Sequence, residues 1–137
     1  MKTWIIAFVI SMVAGIAASQ DIQAQNRAIE TTIQNQVEAF QNNDFAAGFE
    51  FASPSLQTLF GTAENFGAMV RNGYPMVWKP QDLRFGELRL IDGALWQNVL
   101  VTDQESRVFS LDYKMIKVDG SWRIAAVQLI PIPDMTV

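Results

Sequence analysis

Two periodicities divide this chain. Between residues 21 and 73 apolar side chains recur at helical spacing, and between residues 82 and 130 they alternate. Ile22, Ile29, Ile33, Val37 and Phe40 step by seven, four, four and three residues, which places them on one face of a long helix. Gln23, Arg27, Glu30, Gln34, Asn35, Glu38 and Gln41 fill most of the remaining surface. Asn42-Asn43-Asp44 reads as its end, with Asp44 placed to cap a second helix running through Phe51. Ser53-Pro54 starts a third, because Ser caps and Pro tolerates the first helical position, where its missing N–H has no partner to lose. Phe60-Gly61 closes that segment. Thr62 caps a further helix from Ala63 to Asn72 whose inner stripe is Phe66, Met69 and Val70. Gly73 ends it, and Pro75 prevents its continuation.

The second half predicts four strands. Leu83–Ile91 and Ala94–Val101 flank Asp92-Gly93, and Arg107–Val118 and Ser121–Ile130 flank Asp119-Gly120, a dipeptide that favours a tight hairpin. Thr102–Ser106 is a longer polar connection, and Pro131 and Pro133 end the last strand. The expected fold class is α+β: N-terminal helices packed on a curved antiparallel four-stranded meander. Side-chain parity puts Phe109, Leu111, Tyr113 and Met115 on one face, opposite Ser110, Asp112 and Lys114. It groups Leu95, Gln97, Val99 and Val101 against Ala94, Trp96, Asn98 and Leu100. The fourth strand is apolar on both faces, which predicts a central position or a sheet covered twice, a second copy of the chain being one possible cover.

Residues 1–19 have the layout of a secretory leader. A basic start at Lys2 precedes an apolar stretch from Trp4 to Ala18, and the small residues Ala17-Ala18-Ser19 precede the polar Gln20-Asp21. A spanning helix wants about 20 apolar residues, and this stretch is shorter. The expectation is therefore cleavage near Ala18 or Ser19, leaving a single periplasmic or secreted domain over residues 20–137. The alternative is an inner-membrane anchor formed by residues 4–18.

Composition removes whole classes of chemistry. The chain has neither Cys nor His. Disulfides are excluded, as are metal centres built on imidazole or thiolate ligands, imidazole acid–base chemistry and nucleophile–His pairs. No cofactor is expected. With 10 Lys and Arg against 14 Asp and Glu, dispersed along the chain, it repels phosphate backbones, and nucleic acid is not an expected partner.

One series of motifs carries a resemblance. Phe51-Ala52-Ser53-Pro54, Phe60-Gly61, Phe66-Gly67-Ala68-Met69-Val70 and Gly73-Tyr74-Pro75-Met76-Val77-Trp78 come in this order. They precede Leu95-Trp96-Gln97, Asp112-Tyr113-Lys114-Met115 and Gly120-Ser121-Trp122-Arg123-Ile124. The chain resembles the bacterial family called domain of unknown function 4864, from about Ile29 to Leu129. That resemblance implies an exported protein and assigns no catalytic residue. The element order is also similar to the cystatin-like or NTF2-like class, in which helices sit in the hollow of a bent sheet and leave a cone-shaped cavity. Its members include isomerases, dehydratases, binding modules and dimerisation domains, so the architecture implies little about activity.

Tyr74, Trp78, Gln97 and Tyr113 are the candidate ligand-binding residues, placed in or near such a cavity. Gln97 and Tyr113 lie on otherwise apolar strand faces, where a polar group needs an internal partner or a guest. The leading expectation is a non-catalytic exported module that binds a small, largely apolar ligand. A homodimeric assembly domain, joined through the outer sheet face around Trp96, Asn98 and Leu100, is the alternative. An isomerase or dehydratase working with a carboxylate and a tyrosine ranks last, because strand parity separates Asp112 from Tyr113. Glu87 and Arg89, Asp44 and Glu50, and Asp103 and Glu105 have ordinary surface, capping or loop roles.

Overall fold

The computed structural model describes the backbone of residues 3–132 and the side chains of residues 19–132. The elements run α1 (Thr3–Gln41), α2 (Phe45–Glu50), α3 (Pro54–Phe60), α4 (Ala63–Gly73), α5 (Pro75–Trp78), then β1 (Asp82–Ile91), β2 (Ala94–Thr102), β3 (Val108–Val118) and β4 (Ser121–Ile130). This is the α+β order expected. The strands form one open antiparallel sheet in the order β1-β2-β3-β4. The expected leader falls on residues 1–19, whose side chains up to residue 18 lie outside the described residues, as does Pro133. Among the described residues no helix is long and apolar enough to cross a membrane.

Local chemistry sets the helix ends. Asp44 Oδ1 accepts from the Ala47 amide at 3.1 Å, Ser53 Oγ from Leu56 at 3.2 Å, and Thr62 Oγ1 from Asn65 at 3.1 Å. Each occupies an amide that has no partner inside its own helix. Pro75 opens the single turn α5, which buries Met76 and Val77. Both hairpins turn through two consecutive left-handed residues, Asp92-Gly93 (φ 51° and 80°) and Asp119-Gly120 (φ 49° and 82°), the pair of values a tight two-residue hairpin requires.

The core lies between α1 and the sheet, with Ile29, Ile33, Val37 and Phe40 facing Val99, Val101, Leu111, Tyr113, Met115 and Ile124. Ile22 departs from its expected place: it lies outside this core and is 61% exposed. The periodicity therefore ran one step past the packed part of the helix.

The fourth strand also departs from expectation. It lies at the edge of the sheet, paired only with β3. Its apolar character on both faces has a local cause. The register shifts between Lys114 and Met115, so that Tyr113 faces Val127 while Met115 faces Ile124. Ala125 is the extra residue, and it resets the parity of the strand. Beyond the sheet, Phe51–Ser53 closes part of the β4 edge: Ser53 N donates to Ile124 O and Ile124 N donates to Phe51 O, both at 2.8 Å. The junction of α2 and α3 is thereby fixed to β4.

Candidate ligand cavity

The tie between Ala52 and β4 forms one wall of a partly open space. Above the β3–β4 half of the sheet lies a cavity of about 160 Å³. Gln36 and Phe40 of α1 form one side, Ala52, Leu56 and Phe60 a second, and Phe66, Met69 and Val70 of α4 a third. Tyr74 and Val77 close it near α5, and Tyr113, Ile124, Ala126 and Val127 form its floor. Aromatic packing holds the walls apart. The Phe66 ring centroid lies 5.7 Å from that of Phe40, 5.2 Å from Phe49 and 5.5 Å from Phe60, so the rings brace one another and do not collapse inward. The larger hollows are open grooves. One lies between α1 and the β3–β4 hairpin, where the Arg123 guanidinium donates to Glu50 O.

Among the described residues that line it, all but three have apolar side chains, and none is Asp, Glu, Lys or Arg. Tyr113 rises from β3 and is only 1% exposed. Burial first, and the neighbouring Tyr74 second, push its phenol well above the ordinary value of 10.0, so it stays protonated and neutral. No hydrogen bond to another described residue engages its hydroxyl. No described side-chain polar atom is both sealed from solvent contact and unpartnered, so the hydroxyl retains some solvent contact. Tyr74 Oη donates to Val127 O at 3.4 Å, a long bond.

Gln36 is the third polar group, 4% exposed. Its Nε2 donates to Gly48 O at 3.0 Å, which fixes the amide orientation because a carbonyl can only accept. Its Oε1 has no partner among the described residues. Sequence reading passed over Gln36, although the signal was present. It lies three residues after Ile33 and four before Phe40, a polar residue inside the apolar stripe.

The four residues singled out from sequence separate into two pairs. Tyr74 and Tyr113 both line the cavity. Gln97 does not. It is 3% exposed, and its Nε2 donates to Gly86 O at 3.0 Å and Asn98 O at 2.9 Å. Gly86 belongs to a bulge where β1 carries one extra residue between Phe85 and Leu88, and Gln97 supplies the donor that this bulge carbonyl lacks. Trp78 lies beyond Val77, where its Nε1 donates to Asn43 Oδ1 at 3.0 Å and its ring packs against Phe45 with centroids 6.5 Å apart.

The matching family is described as a domain of unknown function, DUF4864, and its model matches residues 22–137. The chain belongs to the DUF4864 family. The match spans every element that builds the cavity, from Gln36 of α1 to Val127 of β4. Neither the curated proteins nor the solved structures contain a match to this DUF4864 chain.

The opposite sheet face holds a separate polar group. Asp112 accepts from Arg89 at 2.5 Å through Oδ2 and from Asn98 at 3.0 Å through Oδ1. Asn98 also donates to Ser110 Oγ at 2.9 Å. A Cβ at Gly86 would collide with Asn98 Oδ1, so this network and the β1 bulge depend on each other. Among the described residues no group of three or more His, Cys, Asp or Glu could hold a metal ion.

Proposed function

We propose that this chain is an exported, non-catalytic module that takes a small, largely apolar guest into the cavity between α4 and the β3–β4 half of the sheet. One observation carries the reading: a largely apolar space of about 160 Å³ lined by braced aromatic rings, with no charged side chain among the described residues that line it. An apolar cavity of about 150 Å³ accepts benzene, so a space of this size suits a guest of one ring. The leader-like pattern of residues 1–19 supports export. The surroundings of Asp112 favour binding over catalysis, because the only carboxylate adjacent in sequence to the cavity tyrosine is held by Arg89 and Asn98 on the other face.

Titration of the isotopically labelled protein with toluene, followed by amide and methyl resonances, tests this. The expected result is a set of saturable shifts centred on Val70, Ile124 and Val127, abolished by Val70→Phe, which fills the space. Resonances that stay in place up to the solubility limit of toluene overturn the reading.

A further inference from the structure

The polar groups left over inside the cavity narrow the guest, an argument that rests on the ligand-binding reading above. Gln36 turns both ends of its amide to different uses: Nε2 to Gly48 O at 3.0 Å, and Oε1 to no described residue. Tyr113 has a hydroxyl with no hydrogen-bond partner among the described residues, at the floor of the same space. Both side chains are more than nine-tenths buried, yet neither oxygen is sealed from solvent contact, so a guest that displaces water from the space loses affinity unless it replaces the hydrogen bonds that water can make to them.

The two groups differ in what they demand. Gln36 Oε1 only accepts, so it needs a donor. The Tyr113 hydroxyl both donates and accepts. A hydrocarbon satisfies neither. A ketone or ether accepts from Tyr113 and leaves Gln36 unmatched. A carboxylate brings a charge into a cavity with no cation to meet it, which is strongly unfavourable. A hydroxyl on the guest supplies the donor that Gln36 lacks and the acceptor that Tyr113 can use.

We infer that the cavity selects a neutral, single-ring-sized alcohol or phenol, with Gln36 Oε1 and the Tyr113 hydroxyl as the groups that discriminate it from a hydrocarbon of the same shape. The Tyr113 phenol stays protonated through burial, so it remains able to donate across the neutral pH range. Two small rings of matched size then separate by their polar group alone.

The experiment is calorimetric titration of the full-length protein with phenol, toluene and benzoate at neutral pH. Phenol is expected to bind roughly tenfold or more tightly than toluene, the factor expected when one buried hydrogen bond is made or left unmade, and benzoate is expected not to bind. In Tyr113→Phe the phenol affinity falls about tenfold and that of toluene holds, by the same reasoning. Equal binding of phenol and toluene by the wild-type protein overturns this inference and leaves the cavity reading standing. Binding of neither overturns both. Since the phenol-to-toluene ratio is read on the unmutated chain, the outcome does not depend on the variant folding.

Discussion

Asp112 and Tyr113 are consecutive residues of β3, yet their polar atoms work on opposite sides of the sheet. Asp112 accepts from Arg89 and Asn98 on the face away from the helices, while Tyr113 forms the floor of the cavity. Strand geometry imposes this, since successive side chains point to opposite faces. A carboxylate and a tyrosine that sit side by side in the sequence therefore cannot act on one substrate.

The first prediction follows from that separation. Asp112→Ala leaves Arg89, which is half exposed, to return to water, but Asn98 loses one of its acceptors. The variant is expected to be destabilised by about 1–3 kcal/mol in urea denaturation. Its toluene and phenol affinities are expected to match the wild type, because the change lies across the sheet from the cavity.

Gln97→Leu gives a second separation of stability from binding. The substitution removes both hydrogen bonds of the side chain, including the one to the bulge carbonyl of Gly86. A buried carbonyl left unmatched costs about 1–3 kcal/mol, so the unfolding midpoint is expected to fall. Guest affinity is expected to hold, since Gln97 is not among the residues lining the cavity. A loss of binding with no loss of stability would assign Gln97 a direct role.

Gly48 joins α2 to the cavity wall by close approach. A Cβ there would lie 2.5 Å and 2.9 Å from two atoms of the Phe40 ring. Phe40 is buried, and the cavity is the space beside it. Gly48→Ala is expected to push the ring into that space, destabilising the fold by about 1–3 kcal/mol, as overpacked cores do, and weakening toluene binding. Thermal unfolding and calorimetry of the same sample check both effects.

Alkaline stability provides a prediction with a definite sign. Burial raises the Tyr113 phenol above its ordinary value of 10.0, with the nearby Tyr74 adding to the shift. Above that value the unfolded chain loses the Tyr113 proton while the folded chain keeps it, so the unfolded state binds fewer protons and stability falls as pH rises. The contribution is complete below pH 10.0 and drains away above it. Tyr113→Phe is expected to flatten that part of the pH profile in urea denaturation.

Acid stability has its own group. Burial alone would raise the Asp103 carboxyl, but the backbone and side chain of Arg107 and the Glu105 amide donate to it and hold it below its ordinary value of 3.8. Its contribution is present above that value and is lost as pH falls below it. Asp103→Asn is expected to reduce the acid-induced loss of stability, measured between pH 5 and pH 2, and to loosen the turn between β2 and β3.

Much of the fold was legible because its signals are local. Asp44, Ser53 and Thr62 cap the helices they precede, and both Asp-Gly pairs turn through left-handed backbone, since each choice depends on a few neighbouring atoms. The missed features depend on longer range. No spacing rule shows that Ile22 stays exposed while Ile29 enters the core, because burial needs a partner surface. The extra residue Ala125 hides in β4, since a strand that switches faces reads as one that is apolar on both. Tyr74 and Tyr113 were visible as candidates, whereas Gln36 was not, although it stood in the apolar stripe.

By itself the amino-acid sequence determined the helix caps, the two tight hairpins, the α+β order and the absence of imidazole and thiol chemistry, all of which follow from residue identity and near neighbours. Only the tertiary structure decided which buried polar groups are matched. Gln97 meets the carbonyl of Gly86 eleven residues away, so its demand is met within the sheet. Gln36 and Tyr113 come from α1 and β3, and their open hydrogen-bonding capacity becomes a property of one cavity only when Ala52 and Ile124 bring the helices down onto β4. Hydrogen-bond satisfaction is a relation between groups distant along the chain, and residue type alone does not contain it.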